Sequence, residues 1–233
     1  MALERESYVG ETEEYRALRD ELLRREIALS DQAEHVAKLR RQLPTNPVTA
    51  DYVFHEGPSD LSDDSAAGIS ERRLADMLDD GTSTLLLQHV MYHPDDDEAC
   101  PMCSMWADGF NAIAHHIRQR ASFVLTAKAG VRKLRTWGRR RGWTNIRLLS
   151  SYGSSFQPDF GFEDVEGNQT PGLSVFVRTD AGEIRHSYSV HAQMTGEHWR
   201  GMDALTPVWN LLDLTPKGRE DWFPSTFYSR TED

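Results

Sequence analysis

The sequence predicts an α/β protein: a three-layer α/β/α sandwich with a mixed central sheet and a helical extension at its N-terminus. Three observations lead to this fold class. Short apolar runs alternate with amphipathic helical segments between residues 84 and 149, which is typical of parallel strands joined by helices. Two further strand-like runs flank the turn Asp180-Ala181-Gly182, as in an antiparallel hairpin. The N-terminal stretch is highly charged, and neither Gly nor Pro interrupts it from residue 12 to 43.

Composition limits the partners and the location. The 233 residues carry a formal net charge of −11, 39% hydrophobic residues and six tryptophans, which indicates a folded, acidic protein. We expect neither nucleic acid nor an anionic membrane as a partner, since both prefer a basic surface. No apolar stretch approaches a membrane span, and the charged start of the chain lacks a signal-peptide core. These features predict a cytoplasmic protein with a helical arm (1–47), an α/β domain (48–214) and a C-terminal tail packed on that domain (215–233).

The N-terminal arm reads as one long helix over residues 12–43. Apolar residues recur every seven positions along it: Tyr15, Leu22, Leu29, Val36 and Leu43. Two positions between them on the same stripe are polar, Arg25 and Gln32, so the stripe is a broken coiled-coil pattern. Two interpretations stay open: an arm that forms a homodimer, or a helix packed on its own domain.

Weaker signals follow the arm. Residues 51–54 are a short strand candidate, and Ser70 can cap a short helix that runs to Asp79. Residues 84–91 have an unbroken apolar core, which is typical of a fully buried strand.

The run Cys100-Pro101-Met102-Cys103 comes next and holds the only two cysteines of the chain. Pro101 suits the first position of a helix, because its ring presets φ and its missing N–H needs no partner there. Cys100 then falls at the N-cap, facing the positive end of the helix dipole, and Cys103 lies one turn further on. This placement between a strand and a helix predicts a redox-active pair. Two alternatives are inert buried thiols and half of a zinc site completed by His93 and one further ligand.

The acidic run Asp95-Asp96-Asp97-Glu98 precedes the motif. One interpretation is a solvated loop. The other is that these carboxylates raise the pKa of Cys100 by like-charge repulsion.

The segments after the motif complete a parallel sheet. Residues 104–119 form an amphipathic helix with an inner stripe of Trp106, Phe110, Ile113 and Ile117. A strand (121–127), a basic helix (131–141) and a third strand (143–149) follow. Right-handed crossovers would place these strands parallel in one sheet.

The last part of the chain supplies the hairpin. Thr170-Pro171 precedes an apolar strand at 173–178, and a second strand returns over 183–191. Residues 199–212 are predicted to be helical, with a restart at Thr206-Pro207, and the tail after them is irregular.

This order of elements resembles the thioredoxin fold. In that fold a cis-proline precedes the hairpin strand and faces the cysteines, and Pro171 matches its place. The resemblance therefore implies that the Thr170–Pro171 bond is cis.

A closer resemblance covers nearly the whole chain. The sequence is similar to a bacterial thioredoxin-like family of unknown function whose members are labelled predicted dithiol–disulfide oxidoreductases. The motifs that carry it are 51–54, Cys100-Pro101-Met102-Cys103-Ser104 with Trp106-Ala107-Asp108, Gly142-Trp143, 150–156 with Asp159, and 214–219.

The resemblance implies a site and a chemistry. Cys100 would attack a disulfide as a thiolate and Cys103 would resolve the mixed disulfide, with Pro101 and Met102 at the helix N-terminus. Pro171 would shape the substrate groove, with Trp106 and Tyr152 as walls. Thioredoxins carry a buried acid six residues before the first Cys, where this chain has Pro94, so Asp108 is the candidate for proton transfer.

The resemblance also implies the partners. They are a disulfide-containing substrate or a thiol reductant, and we expect no cofactor and no metal. Two other functions remain: a thiol peroxidase, although Asp97 stands where such enzymes need Thr or Ser, and a non-enzymatic binding or scaffold protein.

Overall fold

The computed structural model describes residues 6–65, 68–79 and 81–227. The chain divides into two compact units, with the division between Pro44 and Thr45. None of the helices in these ranges has the length and apolar character that crossing a membrane requires.

The first unit contains the long helix α1, Glu13–Gln42, which runs unbroken for 30 residues. Its N-cap is Thr12, whose hydroxyl oxygen accepts the N–H of Tyr15 at 3.1 Å. Acidic residues occupy its first turn and basic residues its last, as the helix dipole favours. The helix predicted over 12–43 is confirmed. None of its side chains is buried in the single chain, and its apolar stripe is largely exposed.

The second unit is built on one mixed sheet. Within the described residues it has eight strands: β1 Asn46–Pro47, β2 Phe54–Glu56, β3 Ser70–Arg72, β4 Thr84–Val90, β5 Ser122–Ala127, β6 Arg147–Ser150, β7 Gly172–Arg178 and β8 Ile184–His191. Their order across the sheet is β1-β8-β7-β4-β5-β6-β2-β3. Strands β4, β5 and β6 are parallel, and the other neighbours pair antiparallel.

The helices of this unit are short apart from two. They are α2 Pro101–Ile117, α3 Val131–Arg141, α4 Phe156–Asp159 and α5 Pro207–Leu212, with 3-10 turns at Leu74–Met77 and Asp203–Leu205. The helix that starts at the cysteine motif thus follows β4, which lies near the middle of the sheet between parallel β5 and antiparallel β7.

Alternate residues of the strands divide the core between the two faces of the sheet. Phe123 and Leu125 of β5 pack with the inner sides of α2 and α3. Val124, between them in sequence, packs on the other face with Phe54 and Phe156. The sheet therefore lies between two layers, and the second is made of α4, the first 3-10 turn and extended segments. This is the thioredoxin-like α/β fold with a mixed sheet that the sequence predicts.

Some elements differ from the prediction. The segment from Ser70 to Asp79 was expected to be helical, but residues 70–72 form β3, which pairs with β2, and only a 3-10 turn follows. The pairing is reinforced by the ion pair of Arg72 with Glu56 at 3.0 Å, so tertiary contacts override the local capping signal. Near the C-terminus, helix forms only after the restart at Pro207 and in the preceding 3-10 turn, not from Trp199.

Candidate active site

The cysteine motif lies where β4 leads into α2. Cys100 is the N-cap of α2 and Pro101 its first residue, as the sequence predicts. The backbone N–H of Cys100 donates to the carbonyl oxygen of Met91 at 2.9 Å, which folds the intervening acidic loop back on itself. Cys103 is completely buried, whereas Cys100 is partly exposed.

The two thiols differ in acidity. A hydrogen bond from the Cys103 thiol, helped by the backbone N–H groups of Cys103 and Met102, lowers the pKa of Cys100 to about 7 against the opposing effect of burial. Burial raises the pKa of Cys103 well above its usual value, and the hydrogen bond to Cys100 adds to this. Cys100 is thus the thiol that ionises near neutral pH and the one that solvent reaches.

The acidic loop does not take part in setting the pKa of Cys100. The groups that shift this pKa are Cys103 and the start of the helix, and no loop carboxylate is among them. Glu98 is paired with Arg140 at 2.9 Å and accepts a hydrogen bond from the Thr226 hydroxyl at 2.9 Å. The loop charges act on Tyr92 instead: burial first, and then the nearby carboxylates, raise the pKa of its phenol. Of the two interpretations of the loop, the one in which its carboxylates raise the pKa of Cys100 is therefore not supported.

Cys100 opens into a cavity of about 480 Å³. The first part of its lining comes from the motif region and the strand ends: Met91, Cys100, Met102, Trp106, Pro171 and Ala192. The other part comes from the C-terminal segment: Trp199, Arg200, Asp203, Trp209, Arg219, Glu220, Trp222 and Phe223. We call this second group the C-terminal wall.

A backbone contact joins the C-terminal wall to the rest of the domain, and a ring contact packs two members of the wall on each other. Gly201 donates its N–H to the carbonyl oxygen of Ala192 at 3.0 Å, just after β8 ends. A Cβ atom at this position would lie 1.9 Å from the carbonyl oxygen of His191, so the close approach requires glycine. Further along, the ring of Trp222 meets that of Trp209 edge to face, with centroids 5.4 Å apart.

The two arginines of the wall share one ion-pair network with two carboxylates. Arg219 binds Asp203 and Asp213 at 2.7 Å each, and Arg200 binds the same two carboxylates at 2.6 and 2.9 Å. The guanidinium of Arg219 also lies over the ring of Trp209, 4.9 Å from its centroid. This network holds the two arginine side chains in place, and the two carboxylates balance their charge.

The structure brings together most, but not all, of the residues that the sequence singles out. Trp106, Met102 and Pro171 line the cavity beside Cys100. Tyr152 does not: it is 57% exposed and lines a different cavity with His55 and Lys133, because it follows β6 rather than β4. Its predicted role as a wall of the groove is therefore wrong.

Asp108 is engaged elsewhere. Its carboxylate forms an ion pair with Arg141 and accepts a hydrogen bond from the indole N–H of Trp143 at 2.8 Å. These contacts join α2 to the end of α3. They give Asp108 a structural role in the fold, in place of the proton transfer to Cys100 that we expected.

The Thr170–Pro171 bond is trans, and no cis peptide bond occurs in the described part of the chain. The expectation of a cis-proline is therefore wrong. Thr170 donates its N–H to Phe162 at 3.0 Å and Pro171 accepts from Ala192 at 3.0 Å, so the backbone on both sides is already held in an extended arrangement. Trans is the preferred form of such a bond, and nothing in these contacts opposes it.

Sequence reasoning missed two features of the site. One is the C-terminal wall, although three of the six tryptophans fall between residues 199 and 222. The other is His89, which lies on β4 behind the motif, on the opposite face of the sheet. Its ring nitrogens are 2.7 Å from Gln157 Oε1 and 2.8 Å from Ser174 Oγ, and burial lowers its pKa to about 3. A histidine within an apolar strand was the available signal.

Comparison with known proteins assigns the chain to a family. The model of a family described as "Bacterial protein of unknown function (DUF899)" matches residues 4–233. The chain belongs to this family. The resemblance seen in the sequence is thus confirmed at the level of the DUF899 family, whose description names no activity. A comparison with curated proteins finds no match.

Several solved structures are similar to this DUF899 member. A protein described as a thioredoxin reductase from Burkholderia cenocepacia is 14% identical, with 66% of this chain and 90% of the other covered and a TM-score of 0.47. Reduced Prx3 from Vibrio vulnificus in complex with H₂O₂ is 12% identical over 70% and 99%, with a TM-score of 0.45. AhpC from Enterococcus faecalis is 11% identical over 78% and 99%, with a TM-score of 0.48.

The described residues contain no group of three or more His, Cys, Asp or Glu side chains that could hold a metal ion. His93, the residue considered as a third ligand beside the cysteines, lies next to Asp95 instead, with 3.5 Å between Nδ1 and the carboxylate.

Proposed function

We propose that this protein is a thiol–disulfide oxidoreductase in which Cys100 is the nucleophile and Cys103 the resolving thiol. The observation that carries this proposal is the asymmetry of the pair. Cys100 is partly exposed with a pKa lowered to about 7, while Cys103 is fully buried with a raised pKa. A thiol whose pKa lies near the ambient pH combines a large thiolate fraction with retained nucleophilicity, which favours attack on a disulfide.

The reaction balances within the dithiol and its substrate. The Cys100 thiolate attacks one sulfur of a disulfide, which forms a mixed disulfide and releases the first thiol of the substrate after it takes up a proton. Cys103 then loses its proton and attacks the Cys100 sulfur, so the second substrate thiol leaves and takes up a proton. The substrate gains two electrons and the protein forms the Cys100–Cys103 disulfide. A low-molecular-weight thiol or dithiol reverses these steps on the protein.

The position of the pair supports this order of events. Cys100 faces the cavity, where a substrate sulfur can reach it. Cys103 is one helical turn further on, and its thiol already contacts the Cys100 sulfur in the reduced protein. The attack of Cys103 on the mixed disulfide then requires little movement. The disulfide that forms carries no charge, so its burial avoids the cost of keeping a Cys103 thiolate buried.

The test is to trap the intermediate. Cys103→Ser keeps the attacking thiol and removes resolution, so we expect a stable mixed disulfide on Cys100 after exposure to a disulfide, detected by mass spectrometry. Cys100→Ser is the matched control and should form none. A titration of the wild-type dithiol against a glutathione series should give one two-electron midpoint. Absence of a reversible Cys100–Cys103 disulfide, or adducts that form on Cys103 first, would contradict the proposal.

A further inference from the structure

We propose that the cavity over Cys100 selects a small, uncharged disulfide with an aromatic body. This inference rests on the proposed dithiol chemistry and adds the class of substrate to it. Three properties of the cavity support it: its size, its aromatic lining and the pairing of its charges.

The size and position of the cavity favour a small molecule. Its volume of about 480 Å³ lies within the range of sites that enclose low-molecular-weight ligands. The C-terminal wall lines the same cavity as Cys100, so a disulfide bound in this cavity contacts that segment. A disulfide within a folded protein surface would have to enter the same space, which a small molecule does more readily.

The lining favours aromatic rings. The C-terminal wall contributes Trp199, Trp209, Trp222 and Phe223, and Trp106 faces them from α2. Trp199, Trp222 and Phe223 are each about half exposed. Large aromatic side chains are usually more buried in a folded protein, and a cluster of exposed ones indicates a binding surface. Ring-on-ring contacts with a ligand would cover these surfaces.

The charges favour an uncharged substrate. Arg200 and Arg219 are the basic side chains of the lining, and both are held by Asp203 and Asp213. Glu220 adds a further carboxylate to the wall. No guanidinium is therefore left to bind an anion, and a disulfide with carboxylate groups would meet carboxylates of the protein.

The reaction with such a substrate uses the same two thiol–disulfide exchange steps. Cys100 attacks one sulfur, the first aromatic thiol leaves, and Cys103 displaces the second as the protein disulfide forms. The two electrons come from the dithiol, and a low-molecular-weight thiol supplies them again.

The experiment measures the rate at which the reduced full-length protein is oxidised by three disulfides. The probe is 4,4′-dithiodipyridine, which is uncharged, aromatic and carries ring nitrogens. The comparisons are 2-hydroxyethyl disulfide, which is uncharged without a ring, and oxidised glutathione, which is anionic. Each rate constant is divided by that of dithiothreitol with the same disulfide at the same pH, because this ratio removes the intrinsic reactivity of the disulfide. Reduction of insulin is followed in parallel.

Two wall variants and a matched control locate the effect. Trp199→Ala and Trp222→Ala remove half-exposed rings of the cavity. Phe227→Ala removes a ring of similar exposure from the same tail, where it packs on Arg140 outside the cavity. Urea unfolding of all three variants checks that the fold is intact, and alkylation of Cys100 by iodoacetamide should proceed at the wild-type rate in Phe227→Ala.

We expect the normalised rate for the aromatic disulfide to exceed that for 2-hydroxyethyl disulfide by about tenfold, the effect of about 1.4 kcal/mol of added contact. Trp199→Ala and Trp222→Ala should lose most of this preference, and Phe227→Ala should keep it. Equal normalised rates for all disulfides, or faster reduction of insulin, would overturn the substrate class while leaving the dithiol chemistry in place. Failure of every disulfide to produce the Cys100–Cys103 bond would instead refute the proposed function itself.

Discussion

The side-chain amide of Gln88 donates a hydrogen bond to the backbone carbonyl oxygen of Cys103, with 3.2 Å between nitrogen and oxygen. Gln88 is completely buried in β4, so this bond ties the centre of the sheet to the first turn of the dithiol helix. The other end of the same amide, Oε1, has no partner among the described residues. The surroundings of position 88 thus provide an acceptor for a neutral N–H donor. Within the described part of the chain they provide no hydrogen-bond donor for a carboxylate oxygen at the place of Oε1.

Replacing Gln88 by Glu tests this environment. Burial should raise the folded-state pKa of the new carboxyl above its unfolded value of about 4.3, so stability is retained at low pH, where the acid is neutral, and lost as pH rises. At pH 7 we expect Gln88→Glu to be less stable than Gln88→Met by about 3 kcal/mol or more in urea unfolding, since a buried charge lacks a partner. Equal stability of the two variants at pH 7 would show that a counter-charge or solvent reaches this position.

The pKa of Cys100 should depend on Cys103 rather than on the acidic loop. Because the hydrogen bond from Cys103 is the main cause of the lowered pKa, Cys103→Ala should move the midpoint of Cys100 alkylation from about 7 toward the ordinary thiol value. The measurement is the rate of iodoacetamide alkylation against pH. The control replaces Asp95, Asp96 and Asp97 by Asn, and it should leave the midpoint unchanged. A lower midpoint in that control would show that the loop carboxylates raise the pKa of Cys100.

Stability should fall in mild acid because of His89. Its pKa is lowered to about 3 in the folded protein, against about 6.5 in an unfolded chain, so the unfolded state binds the proton first. The protein is then most stable above pH 6.5 and loses stability as pH falls from 6.5 toward 3. For this one group the loss is about 2 kcal/mol at pH 5. Burial also lowers the pKa values of His186 and His191, which act in the same direction.

Urea unfolding of wild type and His89→Gln at pH 7.5 and pH 5 measures the contribution of His89. The variant removes the titrating group, so its stability should change less between the two pH values. An identical pH dependence in both proteins would mean that His89 stays neutral in the unfolded state as well or is already charged in the folded one.

We expect the N-terminal helix to form a homodimer through its seven-residue stripe. Leu22 and Leu29 lie on this stripe and are 49% and 70% exposed in the single chain. The double change Leu22→Glu and Leu29→Glu should convert a dimer into a monomer in light scattering of the full-length protein, because it places charges in the seam. Ile27→Glu is the matched control, since Ile27 is 44% exposed but lies off the stripe. A monomeric wild type would end this hypothesis.

Elements whose signal is local could be predicted from the sequence. The helix over 131–141 begins and ends where its amphipathic pattern does, because Gly142 takes the left-handed conformation that stops it. The start of the dithiol helix follows in the same way from Pro101. Trp106 and Phe110 are buried as expected, but Ile113 is 47% exposed, since the inner face of α2 continues through Ala107 and Ala114 instead. Small residues let the helix approach the sheet there, and a search for large apolar residues overlooks them.

Features that depend on long-range contacts could not be predicted. The strand Ser70–Arg72 exists because of its pairing with β2. Asp108 is engaged because Arg141, at the end of α3, and Trp143, just after it, contact its carboxylate. The C-terminal wall meets the motif across about a hundred residues of sequence, through contacts such as that of Gly201 with Ala192. Periodicity carries no information about such contacts.

The separate origin of the motif and the C-terminal wall has an evolutionary consequence. The lowered pKa of Cys100 depends on residues 100–103, whereas the rings opposite it come from residues 199–223. Substitutions in the second stretch can therefore change what enters the cavity without altering the pKa of Cys100. Gly201 is the exception, because any side chain would collide with the backbone of His191. Position 201 therefore requires glycine, whereas the aromatic positions of the C-terminal wall can change.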